Sequence, residues 1–519
     1  MKRRIVIWGT GNICSKIMNL GLLNPQYFID NDLSKSGNIL YGLEILHPTQ
    51  IAEWENIFII LSLDNYLPVK RQLINIGLKE KEDFIWYREW LFGQDAGKLV
   101  EEARQFMENE IKLYEKAEGC KIIFSDFLSF DKGVCEYVNR LNKIEKNLVL
   151  FSEAGWISDL EKNKLNIPVI KLPRILSRNQ YIKKADNQNL FDLKEVEDIK
   201  NNEVCREAAL NLRMGYPDMA EGYEYIVCYF AYKTVHEIIR YWKPEQVILW
   251  NAFYAIHLII RSICREMNIP VRYMEFGNIP GTIILEETGQ MGESYPARAP
   301  EEFLDISVST EEYINAGQSV RYLRQSRLNR NVQPHNNLLQ EVKKKLKHGR
   351  PVIFYAGQND NASGMQPYTE NTRRFHSPIF KTSDEAALFL AEVCRKNDWN
   401  YIYKPHPMMA EHCKEDEMPE NVISVNNVDI NDLIDVADVV VTILSTVSYI
   451  ALIREKPVVM LGYTQLKGKG CTYEAFEKCE IEEQLINAIK NKNNIEFRHN
   501  FVKHVVQLEK YYFHECRIK

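Results

Sequence analysis

The stretch Ala437–Gly462, ADVVVTILSTVSYIALIREKPVVMLG, decides how the chain is read. Val439–Val441 and Val458–Val459 are β-branched runs without polar alternation, the pattern of strands buried on both faces. Ser445, Thr446 and Ser448 stand between them, where a helix would open and where hydroxyl side chains cap the first turn. Strand, helix and strand in so short a space make a βαβ unit, and βαβ units build parallel sheets.

The same alternation extends in both directions. PVIFYAGQND (Pro351–Asp360), WNYIYKPHP (Trp399–Pro407) and NVISV (Asn421–Val425) read as further strands of one series. KIIFSDF (Lys121–Phe127), NLVLFSEAG (Asn147–Gly155), QVILWNA (Gln246–Ala252) and VRYMEFGNIPG (Val271–Gly281) form another, interrupted by a long polar helical stretch from about 190 to 243. A third begins with RRIVIWGTGN (Arg3–Asn12) and continues through YFIDND (Tyr27–Asp32), NIFIILSL (Asn56–Leu63) and DFIWYREW (Asp83–Trp90). The chain therefore divides into a Rossmann-like domain over 1–97, a connecting helix over 98–118, and two doubly wound α/β domains over 119–335 and 336–519. The polar, proline-bearing segment Arg324–Asn337 is the linker between the last two.

Composition narrows the function. A chain of 519 residues with 45% hydrophobic and 26% charged content is an ordinary globular protein of several domains. Its formal charge of -6 argues against a nucleic-acid binder. No apolar run reaches the ~18 residues of a membrane helix. The basic N-terminus passes straight into a strand, which reads as folded protein and not as a signal peptide. The 11 cysteines include no CxxC pair, as expected of reduced thiols in the cytoplasm. His412 and Cys413 are adjacent, but nothing beside them completes a metal site, and no metal is expected.

In doubly wound sheets ligands bind beyond the carboxyl ends of the strands. In the first domain GTGNIC (Gly9–Cys14) offers Gly9 and Gly11 for a phosphate-binding turn, with Asp30 and Asp32 at the distance of a ribose-binding acid. Cys14 replaces the third glycine of GxGxxG, so an NAD-type ligand is not expected; the turn then serves packing alone, or Gly9, Gly11, Asp30 and Asp32 form a second site for another nucleotide. In the other two domains four junctions stand out: Glu275 before Gly277, Gln358 and Asp360 after a strand, Lys404-Pro405-His406-Pro407, and the Ser445–Ser448 hydroxyls. Prolines on both sides of His406 stiffen the backbone around one titratable ring. Carboxylates, a rigid imidazole and a phosphate-ready helix start are the parts needed for transfer from a nucleotide-activated sugar.

YMEFGNIPGTIILEETGQMGES, VIFYAGQND, YIYKPHP and VNNVDINDLIDVADVVVTILSTVSYIALIREKPVVMLG, in this order, resemble bacterial capsule polysaccharide synthesis proteins, and in particular the retaining β-Kdo glycosyltransferases. The resemblance spans roughly residues 245–475. It implies a GT-B-like pair of domains, a CMP-activated Kdo-like donor, no required cofactor, and a glycan or lipid-linked acceptor. It implies Glu275 as general base, Asp360 as nucleophile, and His406 beside the CMP phosphate or the leaving group. Ser445 and Thr446 would lie by the same phosphate, with Gln358, Lys404, Pro407 and Ser448 completing the donor site. Two positions depart from the family: its acid of the D-x-x-G element is Glu286 here, and its following asparagine is Met291. The 1–95 region lies outside the family pattern. The expected setting is cytoplasmic, at the inner face of the membrane if the acceptor is lipid-linked. Two other readings remain open at this stage: a CDP-polyol phosphotransferase, which needs no glycosyl nucleophile, and a non-catalytic nucleotide-binding module.

Overall fold

A computed structural model of the chain describes residues 3–19, 23–63, 66–87, 90, 96–116, 118–125, 132–152, 164–176, 200–215, 219, 221–329, 333–334, 338–407 and 418–512. His412, Cys413, the start of the expected 190–243 helical stretch and parts of the Arg324–Asn337 segment lie outside these residues.

Three six-stranded sheets follow one another along the chain. The first contains β1 (Arg4–Trp8), β2 (Phe28–Ile29), β3 (Ile39–Leu40), β4 (Leu43–Leu46), β5 (Ile57–Leu61) and β6 (Phe84–Trp86), in the order β3-β4-β2-β1-β5-β6. The second contains β7 (Lys121–Ser125), β8 (Leu148–Ser152), β9 (Val169–Lys171), β10 (Gln246–Trp250), β11 (Val271–Phe276) and β12 (Ile283–Glu286), in the order β12-β11-β10-β7-β8-β9. The third contains β13 (Val352–Ala356), β14 (Asn400–Lys404), β15 (Val422–Ser424), β16 (Val439–Thr442), β17 (Val458–Met460) and β18 (Tyr473–Glu474), in the order β15-β14-β13-β16-β17-β18.

All pairings in the third sheet are parallel. Its strand order reverses between β13 and β16, which fixes the ligand crevice at their carboxyl ends. The second sheet reverses between β7 and β10 in the same way, and its edge strand β12 runs antiparallel to β11. The architecture is thus a Rossmann-like domain followed by a GT-B-like pair of doubly wound domains. Several elements differ from the sequence expectation. The helix expected over 98–118 runs Ala96–Glu108 and is followed by a separate 3-10 turn at Glu110–Lys112. Among the described residues of the 190–243 stretch, Glu203–Gly215 and Tyr223–Trp242 are separate helices. Strands β3, β4, β9, β12 and β18 have no counterpart in the sequence reading, since runs of two to four residues are too short for a burial pattern to emerge.

Packing crosses the sheets. One apolar cluster runs from Ile7, Ile13 and Phe28 to Ile123, Ile248 and Met274, so the first domain is seated on the second. Helix Pro300–Leu304 precedes the expected Arg324–Asn337 linker and helix Thr310–Ser326 runs into its first three residues, yet Phe303, Ala316 and Val320 are buried with Phe354, Ile402 and Val440 of the third sheet. The C-terminal helix Ile495–Tyr512 covers them and reaches back to β12, where Tyr512 donates a hydrogen bond to Glu286 Oε2 at 2.6 Å. Among the described residues no helix is long and apolar enough to cross a membrane.

Candidate active site

The crevice at the switch point of the third sheet is built around the end of β13. Gly357 donates its N–H to the Lys404 carbonyl at 2.8 Å. A Cβ there would stand 2.9 Å from Pro405 Cα and 3.1 Å from the His406 nitrogen, so only glycine lets the two chains run so close. Gln358, 7% exposed, ties both neighbouring elements together. Its N–H donates to Ser383 Oγ at 2.9 Å, and its Oε1 accepts the Leu444 N–H at 3.2 Å, immediately before Ser445.

Asp360 follows, 5% exposed. Its Oδ2 accepts the Ser383 N–H at 3.0 Å, at the start of the 14-residue helix Ser383–Lys396. Its Oδ1 is buried and has no hydrogen-bond partner among the described residues. Burial pushes this carboxyl up to about 7, the Asp384 charge adds to the rise, and the Ser383 N–H opposes it. A carboxylic group near neutrality with one oxygen unspoken for is unusual in a packed interior, because a buried polar atom without a partner is costly.

The flanking elements are ordered by their own contacts. Lys404, at the end of β14, donates through Nζ to the Asn426 carbonyl. Burial lowers its ammonium to about 8, against the pull of Asp429. His406 is half-buried and Pro407 exposed, both just past β14. Beyond β16, Ser445 Oγ accepts the Val447 N–H at 3.3 Å and the Ser448 hydroxyl donates to the Ser445 carbonyl at 2.9 Å. Thr446 is the N-cap of helix Val447–Ile453 by position, but its hydroxyl makes no capping bond, contrary to the sequence expectation that all three hydroxyls cap.

Gln358, Asp360, the Lys404–Pro407 element and Ser445–Ser448 therefore gather at the carboxyl ends of β13, β14 and β16. Glu275 belongs to the second sheet, half-buried on β11 opposite Ile284 of β12. Glu286 does not line the crevice. It is 1% exposed and saturated by Tyr512, the Glu287 and Thr288 N–H groups and the Thr288 hydroxyl. Met291 holds a left-handed φ of 53° and packs against the second domain's apolar cluster.

The second sheet presents its own switch point to this crevice. Asn251, just past β10, has φ 66° and donates through Nδ2 to the Ala362 carbonyl at 2.9 Å. Asn211, 3% exposed, accepts the Ala255 N–H at 3.1 Å and donates to the Gln366 carbonyl at 2.9 Å. Beside them, Arg261 and His376 flank Glu293 from opposite domains: Arg261 donates to Glu293 Oε2 at 2.8 Å, and His376 Nε2 lies 3.8 Å from Oε1. Burial alone would push the Glu293 carboxyl up; the His376 and Arg261 contacts outweigh it and hold the group at about 2. None of these residues stood out in the sequence. They are single polar residues far apart in the chain, and only the apposition of two domains joins them.

In the first domain the switch point lies between β1 and β5. Gly9 has φ 102° and Ser62 donates to its carbonyl at 2.6 Å; a Cβ on Gly11 would meet nothing within 4 Å. Asp30 is already engaged by the Thr10 N–H at 3.0 Å, the Thr10 hydroxyl and Lys35 Nζ at 3.0 Å. Asp32 accepts from the Ser34 N–H and hydroxyl. Both acids that would face a ribose thus serve local structure.

Residues 363–506 match the family described as capsule polysaccharide biosynthesis protein, and residues 1–84 match the N-terminal family described as C2185-like. The capsule match includes His406, Ser445 and Thr446 but neither Glu275 nor Asp360. No curated protein matches the chain. Among solved structures, the Thermosulfurimonas dismutans KpsC β-Kdo 2,7 transferase is 18% identical, over 53% of this chain and 88% of that one, with TM-score 0.33. The β-Kdo 2,4 transferase of the same protein is 14% identical over 50% and 79%, with TM-score 0.36. The Methanocaldococcus jannaschii UDP-GlcNAc 2-epimerase is 10% identical over 76% and 99%, with TM-score 0.33. Likeness at this level attaches no activity to this chain.

Proposed function

We propose that the protein is a glycosyltransferase of capsule or related surface polysaccharide synthesis, transferring a Kdo-like acidic sugar from a CMP-activated donor with retention. The observation that carries the reading is Asp360: a buried carboxyl with an unpartnered oxygen at the sheet's switch point, in a domain whose sequence matches the capsule family.

As the carboxylate, Asp360 attacks the anomeric carbon, the bond to the phosphate oxygen breaks, and CMP departs with the electron pair. Glu275 then takes the proton of an acceptor hydroxyl, whose oxygen displaces Asp360 and restores the starting configuration. His406, Lys404, Ser445 and Thr446 stabilise the departing phosphate, Ser448 and Gln358 hold their loop, and Pro407 stiffens the His406 exit. Lys404 is suited to this because an ammonium titrating near 8 is still largely charged at neutral pH. No cofactor beyond the donor is required by these steps, and the acceptor is a glycan or lipid-linked glycan met at the inner face of the membrane.

Calorimetric titration of the full chain with CMP, CDP, UDP, GDP and NAD tests the reading. Selective binding of CMP, weakened at least tenfold in His406→Ala, is expected. Selective UDP or GDP binding would overturn the donor, and CDP preference with an active Asp360→Ala would point to polyol-phosphate transfer instead.

A further inference from the structure

A second concavity lies beside the catalytic crevice, and its walls come from both domains. A cavity of about 120 Å³ opens between helix Ala255–Glu266 of the second domain and the segment Gly364–His376 of the third. His376 is 3% exposed, and its buried Nδ1 has no hydrogen-bond partner among the described residues. The ring cannot easily turn to find one. Phe253 packs edge-on at 4.9 Å and 85°, and Gly364, at φ 79°, leaves room where a Cβ would stand 2.8 Å from Phe253 and 3.0 Å from His376 Nε2. Glu293 faces the other ring nitrogen, and Arg261 balances its charge.

We infer that this interdomain cavity is the subsite for a sugar unit of the acceptor, with the Glu293–His376 pair taking its ring hydroxyls. The inference rests on the glycosyltransferase reading. Sugar hydroxyls both donate and accept, which suits a carboxylate beside an imidazole nitrogen. The Phe253 ring supplies an apolar wall for the C–H face of a pyranose. A nucleotide does not suit the cavity: it is much smaller than the ~300 Å³ at the low end for drug-sized ligands, and the two guanidiniums in its wall, Arg261 and Arg265, are matched by the carboxyls of Glu293 and Glu207, which leaves no net positive charge for a phosphate. The subsite also has the right neighbour. Gln366, which lines it, donates its N–H to the Asp360 carbonyl at 3.0 Å, so an acceptor held here lies one hydrogen-bonded turn from the proposed nucleophile.

Saturation-transfer NMR on the full chain, with methyl glycosides of Kdo, galactose, glucose and rhamnose as probes and CMP as a separate titrant, decides the matter. At least one glycoside is expected to bind the wild type, with affinity at least tenfold weaker in His376→Ala and CMP affinity unchanged. Arg265→Glu, on the exposed rim, provides a variant whose folding is not at stake, and a severalfold loss of glycoside binding is expected there too. Glycoside binding undisturbed by both variants overturns the subsite, as does CMP binding with no glycoside binding at all. His376-dependent glycoside binding in a protein that ignores CMP would uphold the subsite and overturn the CMP-sugar reading.

Discussion

Asp360 accepts the Ser383 N–H through Oδ2 at 3.0 Å while its Oδ1 stays without a partner, so one carboxyl both anchors a helix start and keeps an oxygen in reserve. Asp360→Ala is expected to abolish sugar transfer while CMP affinity stays within about threefold. A variant that still transfers would eliminate the covalent adduct.

The same residue makes a pH prediction. The folded value, about 7, lies above the ordinary 3.8, so the native state holds this proton more tightly than the unfolded chain. Its contribution to stability is full below about pH 4 and disappears as pH rises through 7. The range corresponds to roughly 4 kcal/mol as an upper bound. Urea unfolding between pH 4 and 8 should lose part of this slope in Asp360→Asn; transfer by the wild type should rise through pH 7 as the nucleophile ionises.

Glu293 runs the other way. Its folded value is held at about 2, below the ordinary 4.5, so its contribution is present above pH 4.5 and lost as pH falls towards 2. Arg261→Ala leaves the buried carboxylate half compensated and should cost about 3–5 kcal/mol at pH 7. Thermal unfolding at pH 7 and pH 4 should show the deficit shrinking in acid.

Tyr512→Phe removes the 2.6 Å hydrogen bond to Glu286 and leaves a buried carboxylate oxygen short of a donor. A loss of about 1–3 kcal/mol in urea unfolding is expected. No change would mean that Tyr511, Thr288 and neighbouring N–H groups satisfy Glu286 without the Tyr512 hydroxyl.

In the first domain, Asp30 is occupied by Thr10 and Lys35. Titration with NAD is therefore expected to give no binding in the wild type. Lys35→Ala should lower stability by less than about 1 kcal/mol, since this ion pair is partly exposed. NAD binding in the wild type would return Gly9, Gly11 and Asp30 to the role of a dinucleotide site.

What could be read from the sequence followed from local physics. Central strands such as Val352–Ala356 and Val439–Thr442 are buried on both faces and announce themselves as apolar runs, and the residues directly after them could be picked out as crevice residues. Gln358, Asp360 and Ser445 were found this way. Glu286 falls on a family acid in the sequence, but a carboxylate after a strand looks the same whether it faces a ligand or a tyrosine hydroxyl from a helix that arrives over two hundred residues later. His376, Glu293 and Arg261 were invisible for a similar reason: their meaning depends on how two domains face each other, which no periodicity encodes.

The burial of Phe303, Ala316 and Val320 in the third sheet's core has a consequence for anyone recombining such chains. A chimera spliced in the polar stretch near residue 335 would give each parent half of one hydrophobic interior. The inherited unit begins before Pro300, and grafts that respect it carry their own lining with them.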